Sequence, residues 1–466
     1  MALDPKTYIE SLYSKYNDGS GYIRVVQDGT DYVVTIVGSY GNRGRYKIRR
    51  YDVNGRLIYE GFESGTGGTF QPSANIDVSY KNLFSAPMPD QGIDKTPIGS
   101  TTEPPAPPVP APGTGPITSD YNVNSGYGEV DLRAALREIT GQSLPEVNDD
   151  FGNAGKVKLD NGAIIDDDTI TRSGAIEAHA AGYRGQGIVV AVIDTGLADH
   201  TDLDDNLWVN TGEIPGNGID DDGNGYIDDV NGWNTVDNNN DLSDIQGHGT
   251  HVAGIIAAED NGIGKIGVAP DVKIMVLKPF RRDAQGNVGA PLAATDEAII
   301  YAVNNGADVI NLSLGGSSDF VTPGRLAALQ YAEDNGVICV IASGNDSNIR
   351  PGTPAVAAAD LGIAVGAVDD NGNIAGFTNR AGGPRDLLGD GDANVMYVTA
   401  NGVSVYAADY NDLDGVISKQ GTSMACPVVA GAVAVMLSAD PTLTPDQIKV
   451  ILANTSYDSY GQERGF

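Results

Sequence analysis

Val189-Val-Ala-Val-Ile-Asp-Thr-Gly196 is an unbroken apolar run that stops at a carboxylate and a glycine. It lacks the apolar/polar alternation of a strand with one wet face, so the strand it predicts must be covered on both sides. With this run at 188–193, comparable ones recur at 273–277, 309–312, 337–342 and 363–368, with helical patterns between them. That alternation predicts an α/β fold, with a central, mostly parallel sheet and helices on both faces. Chemistry in such sheets collects at the carboxyl ends of strands, where Asp194 stands.

Two later stretches complete a set. Gly247-His-Gly-Thr-His-Val-Ala-Gly254 should open a helix with His248 at its start. Gly421-Thr-Ser-Met-Ala-Cys-Pro427 puts Ser423 at the head of a long helix of small residues, where the free N–H groups favour negative charge. A serine alone would read as a helix cap, and Asp-Thr-Gly alone is a weak signal. A hydroxyl, an imidazole and a carboxylate together are the apparatus of acyl transfer. The chain has four histidines, and His179 and His200 have no catalytic context. His251 lies one turn beyond His248 and reads as a buried structural histidine. The His248/His251 spacing is i, i+3 without the glutamate of His-Glu-x-x-His, which argues against zinc.

The order Asp194, His248, Ser423, with these flanking sequences, resembles the subtilisin-like serine proteases, or subtilases. The resemblance covers about residues 165–458. It implies a serine endopeptidase working through an acyl-enzyme, with an extended protein or peptide segment as substrate. It also implies that Asn345, in Val340-Ile-Ala-Ser-Gly-Asn345, donates to the oxyanion. Asn311-Leu-Ser-Leu-Gly-Gly316 resembles the strand end lining the primary specificity pocket, with Ser313, Leu314 and Gly315 at the substrate and Gly289 on the opposite edge. Asp346 stands where the family often has an acid on the pocket rim, which would favour Lys or Arg before the scissile bond.

Calcium is the expected cofactor. Gly218-Ile-Asp-Asp-Asp-Gly-Asn-Gly-Tyr-Ile-Asp-Asp229 sets Asp220, Asp222, Asn224, Asp228 and Asp229 among glycines, as oxygen-rich calcium loops do, but lacks a closing glutamate. By the family resemblance, a second site would use Asp202, Asn261 and the carbonyls of Glu259, Ile263 and Lys265. The acidic loops and N-terminal extension are similar to those of calcium-dependent subtilases of cyanobacteria. The chain departs from the family at Val428, usually a histidine. Asn401-Gly402 replaces Pro-Gly, and an acidic insert at 409–414 precedes Ser423. A precursor-processing or transamidating subtilase, or a silenced calcium-binding module, are the alternative functions.

Sixty-two acids against 29 bases, a net charge of −33, make nucleic acid a poor partner and bound cations a good one. Two cysteines, Cys339 and Cys426, exclude a disulfide framework. No signal peptide and no run of 18 apolar residues is visible, so the expectation is a cytoplasmic monomer with no membrane partner.

Residues 1–97 read as a small β-rich domain and 98–118 as a proline-rich linker. Residues 150–466 read as the peptidase domain. Within 119–149, the stretch 126–138 resembles the Gly-x-Gly-x-Val segment that normally closes a subtilase domain after the nucleophile helix. That points to a permuted closure, with the last core helix supplied from the N-terminal side. The alternative is a truncated C-terminus with an unrelated amphipathic helix at 126–138.

Overall fold

The apolar runs become a seven-stranded sheet in which every pairing is parallel. The computed structural model describes residues 112–113, 116–119, 121–145, 155–159, 162–316, 321–359, 361–383 and 394–457, with four strands between 21 and 64. The chain divides into two compact units, 1–105 and 106–466, and the division falls inside the proline-rich run. Most of that run, and so its reading as a polyproline spacer, lies outside the described residues.

In the first unit β1 (Gly21–Asp28), β2 (Asp31–Gly38), β3 (Arg45–Tyr51) and β4 (Leu57–Ser64) form an antiparallel meander in sequence order.

The second unit begins with helix α1 (Leu132–Thr140), the hairpin β5 (Lys156–Lys158) and β6 (Ile164–Asp166), and two short helices, α2 (Asp168–Ser173) and α3 (Ala175–Ala180). There follow β7 (Val189–Ile193), β8 (Gly232–Trp233), α4 (His248–Ala257) and β9 (Lys273–Leu277). A two-stranded ribbon, β10 (Arg281–Arg282) and β11 (Val288–Gly289), leads to α5 (Leu292–Asn304), β12 (Val309–Leu312), α6 (Pro323–Asp334) and β13 (Ile338–Ala342). Then come β14 (Ile363–Val368), β15 (Tyr397–Asn401), a hairpin of β16 (Val405–Asp409) and β17 (Asp412–Lys419), α7 (Thr422–Ala439) and α8 (Pro445–Thr455).

The sheet order is β15-β14-β13-β12-β7-β9-β8. After β7 the chain builds outward through β8 and β9, then returns to lay β12 on the other side of β7. The reversal opens a crevice at the carboxyl ends of β7 and β12. Successive residues feed opposite cores. Val190 and Val192 pack with α1, α4, α7 and α8, while Ala191 and Ile193 pack with α5 and α6. That double burial is why the strands carry no polar alternation.

Helix α7 is long and apolar enough to cross a membrane by length and composition, against the expectation that no such run exists, but 83% of its window is buried inside the fold. Val428 is 1% exposed in the same core, so a valine suits a position the family usually gives to histidine.

Residues 126–130 run beside β15. Tyr127 N–H donates to the Tyr397 carbonyl (2.8 Å), Thr399 N–H to Gly128 (2.7 Å) and Val130 N–H to Thr399 (3.0 Å). On the other edge Glu129 and Tyr457 exchange backbone hydrogen bonds at 2.8 and 3.0 Å. Asp131 then caps α1 through the Arg133 amide, and Gly141, at φ 68°, ends it. Leu132, Ala135 and Leu136 are fully buried in the same core as α7. The Glu129 side chain, in a residue 1% exposed, accepts Nε and Nη2 of Arg172 from α2. The segment ahead of the parallel sheet is thus a structural part of its core. Leu136→Ala should lower stability by about 2–5 kcal/mol. Urea titration of the purified protein checks this. An unchanged midpoint would mean that α1 adds nothing to the fold.

Candidate active site

Asp194 extends β7 by one residue and stays in register, its amide bonded to the Leu277 carbonyl at 2.9 Å. The carboxylate is 1% exposed. Its Oδ1 accepts the Thr195 amide at 2.7 Å and lies 2.7 Å from His248 Nδ1. Helix α4 can come this close because Gly249 has no side chain, since a Cβ there would sit 2.2 Å from the Gly196 carbonyl oxygen. Burial pulls the His248 imidazole toward its neutral form, but the Asp194 charge and hydrogen bond outweigh this, and its pKa rests above the usual histidine value. A ring whose Nδ1–H is held by a carboxylate offers Nε2 as a base.

Ser423 is the second residue of α7 and half-buried. Its Oγ donates to the Ser313 carbonyl at 3.2 Å. Asn345 follows β13, and its Oδ1 accepts the Thr422 amide at 2.9 Å and the Thr422 hydroxyl at 3.1 Å. Those two bonds fix the orientation of the amide group. Gly421, at φ 150°, completes the arrangement. A Cβ on it would lie 3.5 Å from Asn345 Nδ2 and 3.6 Å from the Ser423 amide nitrogen. The side-chain nitrogen of Asn345 and the backbone nitrogen of Ser423 therefore both lie near Gly421, next to the nucleophile.

Of the expected substrate contacts, Gly289 is exposed on β11 with open space around it. Gly315 lies against Thr353, whose carbonyl a Cβ would approach to 2.8 Å, and Leu314 is half-buried beside it. Ser313 is 3% exposed, and its side chain is tied to the nucleophile residue. Its Oγ accepts from Asn311 (3.0 Å) and donates to the Ser423 carbonyl (2.9 Å). Asp346 is exposed, with its amide tied to Asn379 Oδ1 at 2.9 Å.

The expected metal loops differ in quality. Asp202 is fully buried, and neither carboxylate oxygen accepts a well-formed hydrogen bond. Burial pushes its carboxyl up to about 8, with partial relief from the Lys265 amide and Asn261. The loop carrying Asn261 folds over it: the Glu259 amide bonds the Asp202 carbonyl at 3.0 Å, and Gly264 packs on Oδ2. Buried carboxylate oxygens without donors fit a hard cation. Asn261 Oδ1 accepts the Ile263 amide at 2.8 Å, while the Lys265 side chain runs inward to Asp167 (2.8 Å). The Glu259 side chain, expected to contribute only its carbonyl, converges with Asp204 and Asp205.

In the acidic loop the converging carboxylates are Glu213, Asp220 and Asp222, whose oxygens lie within 4.8 Å of one another. Asn224 bonds both Asp222 and Asp229. Asp228, held at φ 54°, turns away to accept the Asn217 and Gly218 amides at 3.0 and 2.9 Å. Asp229 is taken by Asn210, Asn224 and the Tyr301 hydroxyl. Sequence reasoning missed Glu213, since its place depends on how the preceding turn folds back.

It also missed Asp244 and Lys419 beside His248. Asp244, three residues before Gly247, had a legible signal: an acceptor just ahead of a helix start. The remaining histidines are structural. His251 Nε2 donates to the Ile417 carbonyl (2.9 Å), and burial drives its pKa down to about 3. His179 bonds Val268 and His200 bonds Gly415. Both cysteines are buried free thiols.

The profile of the subtilase family matches residues 185–466. Subtilisin DY of Bacillus licheniformis is 36% identical over 287 residues, covering 60% of this chain and 88% of its own. Subtilisin Savinase of Lederbergia lenta is likewise 36% identical over 287 residues, covering 62% and 90%. A solved structure of a cold adapted subtilisin-like serine proteinase aligns with a TM-score of 0.43 and 27% identity, over 57% of this chain and 81% of its own. With more than half of its length matched, a stretch that includes the Asp194, His248 and Ser423 motifs, the chain belongs to the subtilase family of serine endopeptidases.

Proposed function

We propose that Ser423 is the nucleophile, His248 the general base, Asp194 its orienting carboxylate and Asn345 an oxyanion donor, in a calcium-stabilised endopeptidase that favours Lys or Arg before the scissile bond. The observation that carries it is the 2.7 Å Asp194–His248 contact, together with Asn345 Nδ2 and the Ser423 amide nitrogen both lying near Gly421 at the head of α7. For attack the Ser423 hydroxyl leaves the Ser313 carbonyl and gives its proton to His248 Nε2. The tetrahedral oxyanion then takes hydrogen bonds from Asn345 Nδ2 and the Ser423 amide. His248, now charged and paired with Asp194, protonates the departing amine, and water hydrolyses the acyl-enzyme by the reverse sequence.

Calcium would be held by Asp202 with the Asn261 loop, and by Glu213, Asp220 and Asp222. At Asp202 it would neutralise oxygens that burial otherwise leaves unpaired, and at both places it would lock loops without entering the reaction. The Lys/Arg preference is supported by one exposed carboxylate, Asp346, directly after Asn345.

Ser423→Ala should abolish peptide hydrolysis with the fold intact, a loss of about 10⁶ in turnover, the magnitude measured on a subtilisin. Turnover at the wild-type level in pure variant would end the mechanism. Chelation should lower melting temperature and activity together, since a ligand of the native state at a hundredfold excess over its Kd stabilises by ~2.7 kcal/mol. Calorimetry and activity that ignore EDTA in metal-depleted buffer would remove calcium from the account. Asp346→Lys should turn selectivity away from Arg in a peptide library, and an unchanged Arg-to-Phe ratio would take Asp346 out of the pocket.

A further inference from the structure

Gly247, just ahead of His248, is held at its amide and at its carbonyl by opposite charges. Asp244 Oδ1 accepts the Gly247 amide at 2.8 Å, and Lys419 Nζ donates to the Gly247 carbonyl. Gly247 stands at φ 81° as the N-cap of α4, with no side-chain cap of its own. These two partners hold the residue from which the helix starts.

Asp244 reaches further. It also accepts the Gln246 amide (2.9 Å), both the amide and hydroxyl of Thr250 (2.9 and 2.6 Å), and the Thr195 hydroxyl (2.8 Å). The Thr195 hydroxyl in turn accepts the Gly249 amide at 2.9 Å, and the Thr195 amide bonds Asp194. One carboxylate thus joins the loop carrying Asp194 to the first turn carrying His248. Burial works against its charge, but the surrounding donors outweigh burial and hold it ionised.

Lys419 arrives from the other side. It ends β17, whose carbonyls at alternate residues serve the same flank. Leu413 accepts the Thr201 amide at 3.0 Å, Gly415 faces His200 at 3.0 Å and Ile417 faces His251 at 2.9 Å. At the end of the same strand the half-buried Lys419 ammonium reaches Gly247.

We propose that Asp244 and Lys419 are positioning residues for the reaction, a charged clamp on the Gly247 peptide that sets the place of the His248 base against Asp194. The clamp presupposes the Asp194–His248–Ser423 chemistry proposed above.

A clamp by a cation has an electrostatic consequence that mere packing lacks. The groups facing His248 are Asp194 and Asp244 from the preceding loops, Lys419 from β17 and His251 on its own helix. Asp409 on β16 faces Lys419, as do Asp194 and Asp244. The working base is neutral imidazole, and a nearby ammonium disfavours imidazolium. Removing that ammonium raises the pKa of His248, so the acid limb of kcat/KM moves to higher pH.

Three variants test this: Lys419→Met, Lys419→Arg and Asp244→Asn. Each is first titrated with a fluorophosphonate probe, so that rates are per labelled Ser423. Lys419→Met should move the acid limb upward by roughly 0.3–1 pH unit and lower kcat with KM little changed. Lys419→Arg should return the limb to the wild-type position. Asp244→Asn should cost on the order of tenfold or more in kcat. Labelled Lys419→Met with a wild-type pH profile and kcat would overturn the clamp by itself. Wild-type protein that the probe fails to label would overturn the catalytic assignment, and the clamp with it.

Discussion

Burial of a parallel sheet on both faces is the constraint on which the rest of the molecule depends. Side chains between the sheet and its helices must be apolar, as Val190, Ala191, Val192 and Ile193 are on alternating sides of β7. Polar chemistry is left to the strand ends. The reversal of direction between β7 and β12 keeps one such end open, because the connections leave to opposite sides. Asp194 and Ser313 come from those strand ends, Asn345 follows β13, and His248 and Ser423 come from helices that start at the same rim.

At that rim three buried carboxylates meet the cost of burial in different ways. Asp244 is surrounded by donors from Thr195, Gln246, Gly247 and Thr250, and its pKa falls below the ordinary carboxylate range. Asp194 shares one oxygen between the Thr195 amide and His248. Asp202 has no well-aligned donor on either oxygen and is pushed up to about 8. Donor count explains the ordering of Asp244 and Asp202: each N–H or O–H aimed at a carboxylate offsets part of the lost hydration, and without donors the proton stays. The carboxylate least satisfied by protein is the one best suited to a cation.

What was legible in the sequence follows from how local each signal is. The strands of the sheet could be read because double burial leaves a composition that needs no partner to interpret. Asp194, His248 and Ser423 could be read because each sits in a short segment whose small residues are themselves demanded by close approach, as Gly249 is by the Gly196 carbonyl. The substrate side was less legible. The Ser313 side chain bonds the Ser423 carbonyl because the packing of α7 against the end of β12 brings the two together, and such packing is tertiary information. Asp228 looks like a calcium ligand by spacing, yet a left-handed backbone turns it to the Asn217 and Gly218 amides. Glu213 carries no motif and enters only because its turn folds under the acidic loop.

The β16–β17 hairpin shows the same limit from another direction. As sequence, 409–414 is an acidic insert before the nucleophile. A lone two-stranded hairpin is marginal in water, so its order must come from what it touches. Its tip bonds Thr201, next to Asp202, through the Leu413 carbonyl and Asp414, and its far end reaches Gly247, next to His248. Between them the carbonyls of Gly415 and Ile417 face His200 and His251, which supplies partners to an edge that would otherwise present bare backbone. One strand edge thus spans from the Asp202 loop to the base. The order of that loop and the position of His248 are properties of the same set of hydrogen bonds.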